Sequence, residues 1–140
     1  MKNKILLVGL FCCSLVSTEA QVLLDKNAGK NSFPIVSPAA NVVVCFDGKD
    51  ETVVRKSVTL FADDVRRVTG QDLKTQASNP GDVSARYAII VGTVGKSAWI
   101  NALVAQKKID TTPITGGWER YMIETVDNPA PGIKKAIVVA

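Results

Sequence analysis

The chain has 140 residues, 46% hydrophobic, 21% charged and 6% aromatic, with 3 cysteines and no histidine. That is room for one domain, too short for a (β/α)8 barrel of about 250 residues and too apolar to stay unfolded. The lack of histidine removes the commonest general base, the Ser–His and Cys–His nucleophile pairs and every His-containing zinc site.

Residues 1–20 have the pattern of a secretory signal peptide. Lys2 and Lys4 precede the apolar run Ile5–Val16, and Thr18-Glu19-Ala20 then places small residues at the positions a signal peptidase reads before Gln21. The run is shorter than the roughly 20 residues of a spanning helix. A lipid-anchored alternative through Cys12 or Cys13 is weaker, because Phe11 precedes Cys12 and both cysteines lie inside the run. The expectation is export, to a periplasm or the exterior, with no membrane span after cleavage.

Cleavage removes Lys2, Lys4 and Glu19, leaving 15 basic residues against 12 acidic ones and a charge of +3. The basic groups are dispersed, the longest being Arg66-Arg67, Lys107-Lys108 and Lys134-Lys135. No nucleic-acid footprint is expected from that distribution. Cleavage also leaves Cys45 without a disulfide partner, inside Val42-Val43-Val44-Cys45-Phe46, where a buried core thiol is expected.

Residues 21–33 read as a lead-in arm, and 34–140 as one domain. Asn41–Phe46 is nearly continuous in β-branched residues, the mark of a strand covered on both faces. Asp47-Gly48-Lys49-Asp50 is turn chemistry, with Asp50 suited to cap a helix over Glu51–Thr69. In that helix Val54, Val58, Phe61, Val65 and Val68 form an apolar stripe, Glu51–Arg55 and Asp63–Arg67 form i,i+4 pairs, and Gly70 fits a left-handed C-terminal cap. A short strand over Leu73–Gln76, a buried strand over Arg86–Gly92 and a helix over Ser97–Lys108 capped by Ser97 follow. Gly116-Gly117 then precedes a strand over Trp118–Val126, with Tyr121, Ile123 and Thr125 on one face and Arg120 and Glu124 on the other. An eight-residue Pro/Gly loop, Asp127–Lys134, leads to the apolar Ala136–Ala140, and the last two strands pair antiparallel.

This order predicts an α/β layer domain: a mixed β-sheet with both helices on one face. Because the apolar run reaches Ala140, the domain is expected to be incomplete at its C-terminus.

Candidate chemistry is sparse. Val91-Gly92-Thr93-Val94-Gly95-Lys96-Ser97 resembles a phosphate-binding loop, but Ile90 stands where G-x-x-x-x-G-K-[ST] requires glycine. A plain strand-to-helix turn is the better reading, with anion contact at the helix start beside Lys96 as the sharper alternative. The carboxylate pairs do not suggest a glycosidase couple. Glu119 and Glu124 point to opposite faces of a strand, Asp63 and Asp64 splay on a helix, and Asp47 and Asp50 serve a turn and a cap. Trp99 and Trp118 are weak candidates for stacking on a sugar, weighed against core or interface packing. No catalytic residue, metal ligand set or cofactor site is predicted.

Ile89-Ile90-Val91-Gly92-Thr93-Val94-Gly95-Lys96-Ser97 is one of two stretches that carry a family resemblance. The other is Gly117-Trp118-Glu119-Arg120-Tyr121 continuing through Val126-Asp127-Asn128-Pro129-Ala130-Pro131-Gly132-Ile133 to Ala140. Together they resemble the N-terminal domain of glycoside hydrolase family 115, the xylan α-glucuronidases. Phe46-Asp47 and Ala62-Asp63-Asp64-Val65 are similar to that family with less specificity, and Ala98-Trp99-Ile100 departs from its usual Pro-Leu-Ile-like start. The resemblance spans residues 34–140. It implies an accessory α/β domain of the kind that precedes the barrel in hexosaminidase-like and α-glucuronidase enzymes, the barrel itself removing 4-O-methyl-glucuronic acid from xylan with inversion. It therefore implies a non-catalytic piece of a hydrolase, whose main partner is the downstream barrel of the same polypeptide, with xylan oligosaccharides as a further partner. The alternative is a free-standing exported carbohydrate-binding or interaction domain using Trp99, Trp118 or Tyr121 as its platform.

Overall fold

A computed structural model describes residues 32–37 and 40–140. Residues 1–20, expected to be a signal peptide, and the first part of the expected lead-in arm lie outside the described residues. Seven elements follow in the expected order: β1 (Val42–Phe46), α1 (Thr52–Thr69), β2 (Lys74–Ala77), β3 (Ala85–Val91), α2 (Ala98–Ala105), β4 (Ile123–Ala130) and β5 (Ile133–Val139). They build one five-stranded sheet in the order β2-β1-β3-β5-β4. β2, β1, β3 and β5 run parallel, and β4 joins β5 antiparallel at the edge. The protein is thus an α/β layer domain with a mixed, mostly parallel sheet.

The two helices lie on opposite faces, which corrects the one-face expectation. Val42, Val44, Phe46 and Ile89 pack with Val54, Val58 and Val65 of α1. Their sequence neighbours Val43, Cys45, Ala88 and Ile90, with Ala136 and Val138, pack with Trp99, Ile100 and Leu103 of α2. The reason is directional. The chain leaves β1 towards β2 through α1 and leaves β3 the other way along the sheet through α2. Right-handed connections in opposite directions place their helices on opposite faces. Continuous burial of β1 is the result, since each of its faces has a helix to meet.

Within α1 the stripe is narrower than the sequence pattern suggests. Val54, Val58 and Val65 are buried, and Ala62 packs against the same core. Phe61 and Val68 are exposed. Each fully buried valine contributes about 1.5–3 kcal/mol. Gly70 closes α1 in the left-handed conformation, its N–H donating to Arg66 O. The ion pairs have i,i+3 spacing, Asp63–Arg66 and Asp64–Arg67, rather than i,i+4. α2 ends at Ala105, short of the expected Lys108.

β4 is the element most displaced from expectation. It starts at Ile123, not Trp118, and runs on through Asp-Asn-Pro-Ala to Ala130. The expected eight-residue loop is a two-residue turn, Pro131-Gly132. A register shift between Asp127 and Ala130 places one extra residue in β4, with Asn128 at φ 49°. A bulge of this kind tolerates Pro129, whose missing N–H would break a regular ladder. Gly132 turns at φ 83°, and a Cβ there would meet Val83 O at 3.0 Å. On the α1 face, Phe33 of the lead-in segment meets Tyr87 edge-on with ring centroids 5.5 Å apart.

Candidate functional site

In an open parallel sheet, ligands settle beyond the carboxyl ends of the strands, where successive connections diverge. Here that point lies between β1 and β3. Its walls are the β1–α1 turn, residues 47–51, and the β3–α2 turn, residues 92–97.

Carboxylates of the protein itself close the crevice. Asp47, buried at the end of β1, accepts the Lys49 N–H at 2.8 Å through Oδ1 and the Ala98 N–H at 2.9 Å through Oδ2. The second bond supplies the cap of α2. Ser97 occupies the N-cap position, but its hydroxyl makes no capping bond, in contrast to the sequence expectation. Both N–H groups stabilise the ionised form, so the Asp47 carboxyl is held below its usual value, the Ala98 bond being the larger cause. Asp50 bridges the same turns, accepting the Glu51 N–H at 2.7 Å and the Thr93 N–H at 2.8 Å. It adjoins α1 as expected, although Glu51 is the N-cap residue. Glu51 pairs with Lys96 across the mouth rather than with Arg55, and this contact raises the Lys96 pKa.

Gly92 sets the spacing of the second wall. A Cβ there would lie 2.4 Å from Ser97 Oγ and 3.0 Å from Ile100 Cγ1. The first turn of α2 can therefore sit directly against the end of β3. The Gly92 N–H donates to Val139 O at 3.0 Å, tying the β3–α2 turn to β5.

The arrangement leaves little chemistry open. The N-terminus of α2, where an external anion would sit, already holds the Asp47 carboxylate. Lys96, the cation of the phosphate-loop-like stretch, faces Glu51. Among the described residues, no group of three or more His, Cys, Asp or Glu side chains is gathered as a metal site would require. Burial pushes the Cys45 thiol up to about 11, against opposing contributions from Ser78 and Lys74, so its nucleophilic thiolate is scarce at neutral pH. No described helix is long and apolar enough to cross a membrane.

The two tryptophans are separated in role. Trp99 is 1% exposed in the core and donates its indole N–H to Ser78 O at 2.7 Å, which leaves no ring face for a sugar. Trp118 is 89% exposed on the segment entering β4. Tyr121 is 72% exposed nearby in sequence, and Ile123 is also exposed. Since Ile123 pairs with Val139 at the end of β5, this apolar group stands at the same sheet edge as the crevice.

Asp47 is the site residue that sequence reasoning assigned only to its own turn. Its partner Ala98 lies 51 residues away. The available signal was an Asp placed directly after a central apolar strand; that it meets the start of α2 follows from the topology. In comparisons with known proteins, no family model matches this chain and no curated protein is significantly similar to it.

Proposed function

We propose that the chain is the leading, non-catalytic α/β domain of an exported glycoside hydrolase of the xylan α-glucuronidase type, bracing a downstream barrel of the same polypeptide. The resemblance over residues 34–140 is what suggests that family. The observation that best supports a bracing role is the closed carboxyl edge, where Asp47 and Asp50 are committed to backbone amides between two turns. The resembling motifs also coincide with structural joints: Gly92–Ser97 forms the seat of α2, and Asp127–Gly132 forms the bulge and turn of the terminal hairpin. The decisive assay incubates the chain with acidic xylo-oligosaccharides and measures released 4-O-methyl-glucuronic acid. No release is expected; release would place catalytic groups on this chain. Sequencing the gene past codon 140 tests the parent enzyme, with an open frame continuing into a barrel as the expected result and an immediate stop as the contrary one.

The exposure of Trp118 and Tyr121 favours a second reading, a carbohydrate-binding module with these rings as its platform. Calorimetric binding of xylo-oligosaccharides that disappears in Trp118→Ala would establish it in place of the first.

A further inference from the structure

An open bowl of about 570 Å³ lies at the opposite edge of the sheet, where β3 and β5 begin. Its charged lining is Arg86, Lys108 and Lys134, joined by Gln106 and Asn128, and it contains no carboxylate. None of the three cations has an acidic partner among the described residues. Register makes this unusual. Ala85 pairs with Ile133 and Tyr87 with Lys135, which sets Arg86 beside Lys134 on neighbouring strands. Like charges placed side by side in a sheet repel one another. Lys108 is fixed over the bowl by donating to the carbonyls of Asn128 and Pro129. The Arg86 guanidinium also lies 5.6 Å from the Tyr87 ring centroid, which limits its freedom.

We infer that the bowl between Arg86, Lys108 and Lys134 binds a divalent oxyanion, the phosphoryl or sulfuryl group of a small molecule. A dianion converts the Arg86–Lys134 repulsion into shared attraction, and the guanidinium fork matches the edge of a tetrahedral oxyanion. Gln106 and Asn128 offer amide donors for the remaining oxygens. The volume suits a small molecule, so the group need not arrive alone. This inference is independent of the proposed hydrolase family.

The test titrates the 15N-labelled full chain with inorganic phosphate, and separately with sulfate, at low ionic strength. Saturable shifts at the Arg86, Gly132 and Lys134 amides are expected, absent with chloride at equal ionic strength. Arg86→Gln and Lys134→Gln should each weaken binding about tenfold, the scale of one charge-assisted contact, while Lys56→Gln on α1 leaves it unchanged. Phosphate affinity rising as its second charge forms, at roughly pH 6 to 7, would point to phosphoryl ligands; tighter sulfate binding at all pH values would point to sulfuryl ones. Shifts that fail to saturate, that chloride reproduces or that both bowl variants leave intact would overturn the assignment. So would saturation by glucuronate with neither dianion bound.

Discussion

The two edges of the sheet treat charge in opposite ways. At the carboxyl edge the carboxylates of the two turns are answered: Asp47 and Asp50 by backbone amides, Glu51 by Lys96. At the amino edge Arg86 and Lys134 stand side by side with no carboxylate in the bowl they line. Doubly wound sheets ordinarily place function at the first edge. Here that edge serves as a joint that holds α1, β3 and α2 together, and the unanswered charge lies at the second. The contrast shows that topology identifies where a site is easiest to build, whereas the state of individual polar groups decides whether one is open.

The joint depends on α2 being seated, so its anchor should give the largest effect. Trp99 fills the α2 side of the core and reaches across to Ser78 O. Trp99→Ala is expected to cost about 3–5 kcal/mol in urea unfolding, the range for emptying a buried aromatic site. Trp99→Phe should cost far less, about 1–2 kcal/mol, because it keeps most of the volume and strands one carbonyl. Equal losses in the two variants would mean that the hydrogen bond, not the packing, holds the helix.

The order of elements was legible in the sequence because each carried its own local signature. The β-branched run of β1, the stripe of α1 with Gly70, and the apolar β3 all fell within a few residues of their observed bounds. Sidedness was legible too, in hindsight of the packing. A strand apolar at every position from Val42 to Phe46 needs cover on both faces, which two helices on one face could not provide. β4 was obscured by Asp127-Asn128-Pro129, whose composition is that of a loop and whose geometry is that of a bulge. The site was the least legible part. The Asp47–Ala98 bond and the Arg86–Lys134 adjacency depend on topology and register, and neither residue pair has a local pattern.

Acid should break the carboxyl-edge joint before it affects the core. The folded Asp47 carboxyl is lowered from 3.8, so the folded state binds its proton less readily than the unfolded state does. The stabilisation is complete above the unfolded value of 3.8 and fades as pH falls through the lower folded value. Asp47→Asn should therefore cost about 1–3 kcal/mol at pH 7 and show a shallower loss of stability than the parent below about pH 4. Asp110, lowered by its bonds to Thr112, has the same sign, so part of the slope remains. Parallel acid curves for parent and variant would show that Asp47 is not the coupled group.

The smallest effect should appear at the amino edge, with the opposite sign. Without an anion, replacing Lys134 removes a repulsion and, among the described residues, no ion pair, since nearby Asp127 is held by Lys135. Lys134→Gln is expected to raise stability by about 0.2–1 kcal/mol at low salt, the scale of a cross-strand charge pair. The gain should vanish near 1 M NaCl, where the screening length falls to about 3 Å. Added phosphate should reverse the ranking, because it stabilises the parent by mass action and the variant much less. A variant less stable than the parent in low salt without phosphate would mean that Lys134 already has a stabilising partner, and the two edges would then differ in geometry but not in the balance of charge.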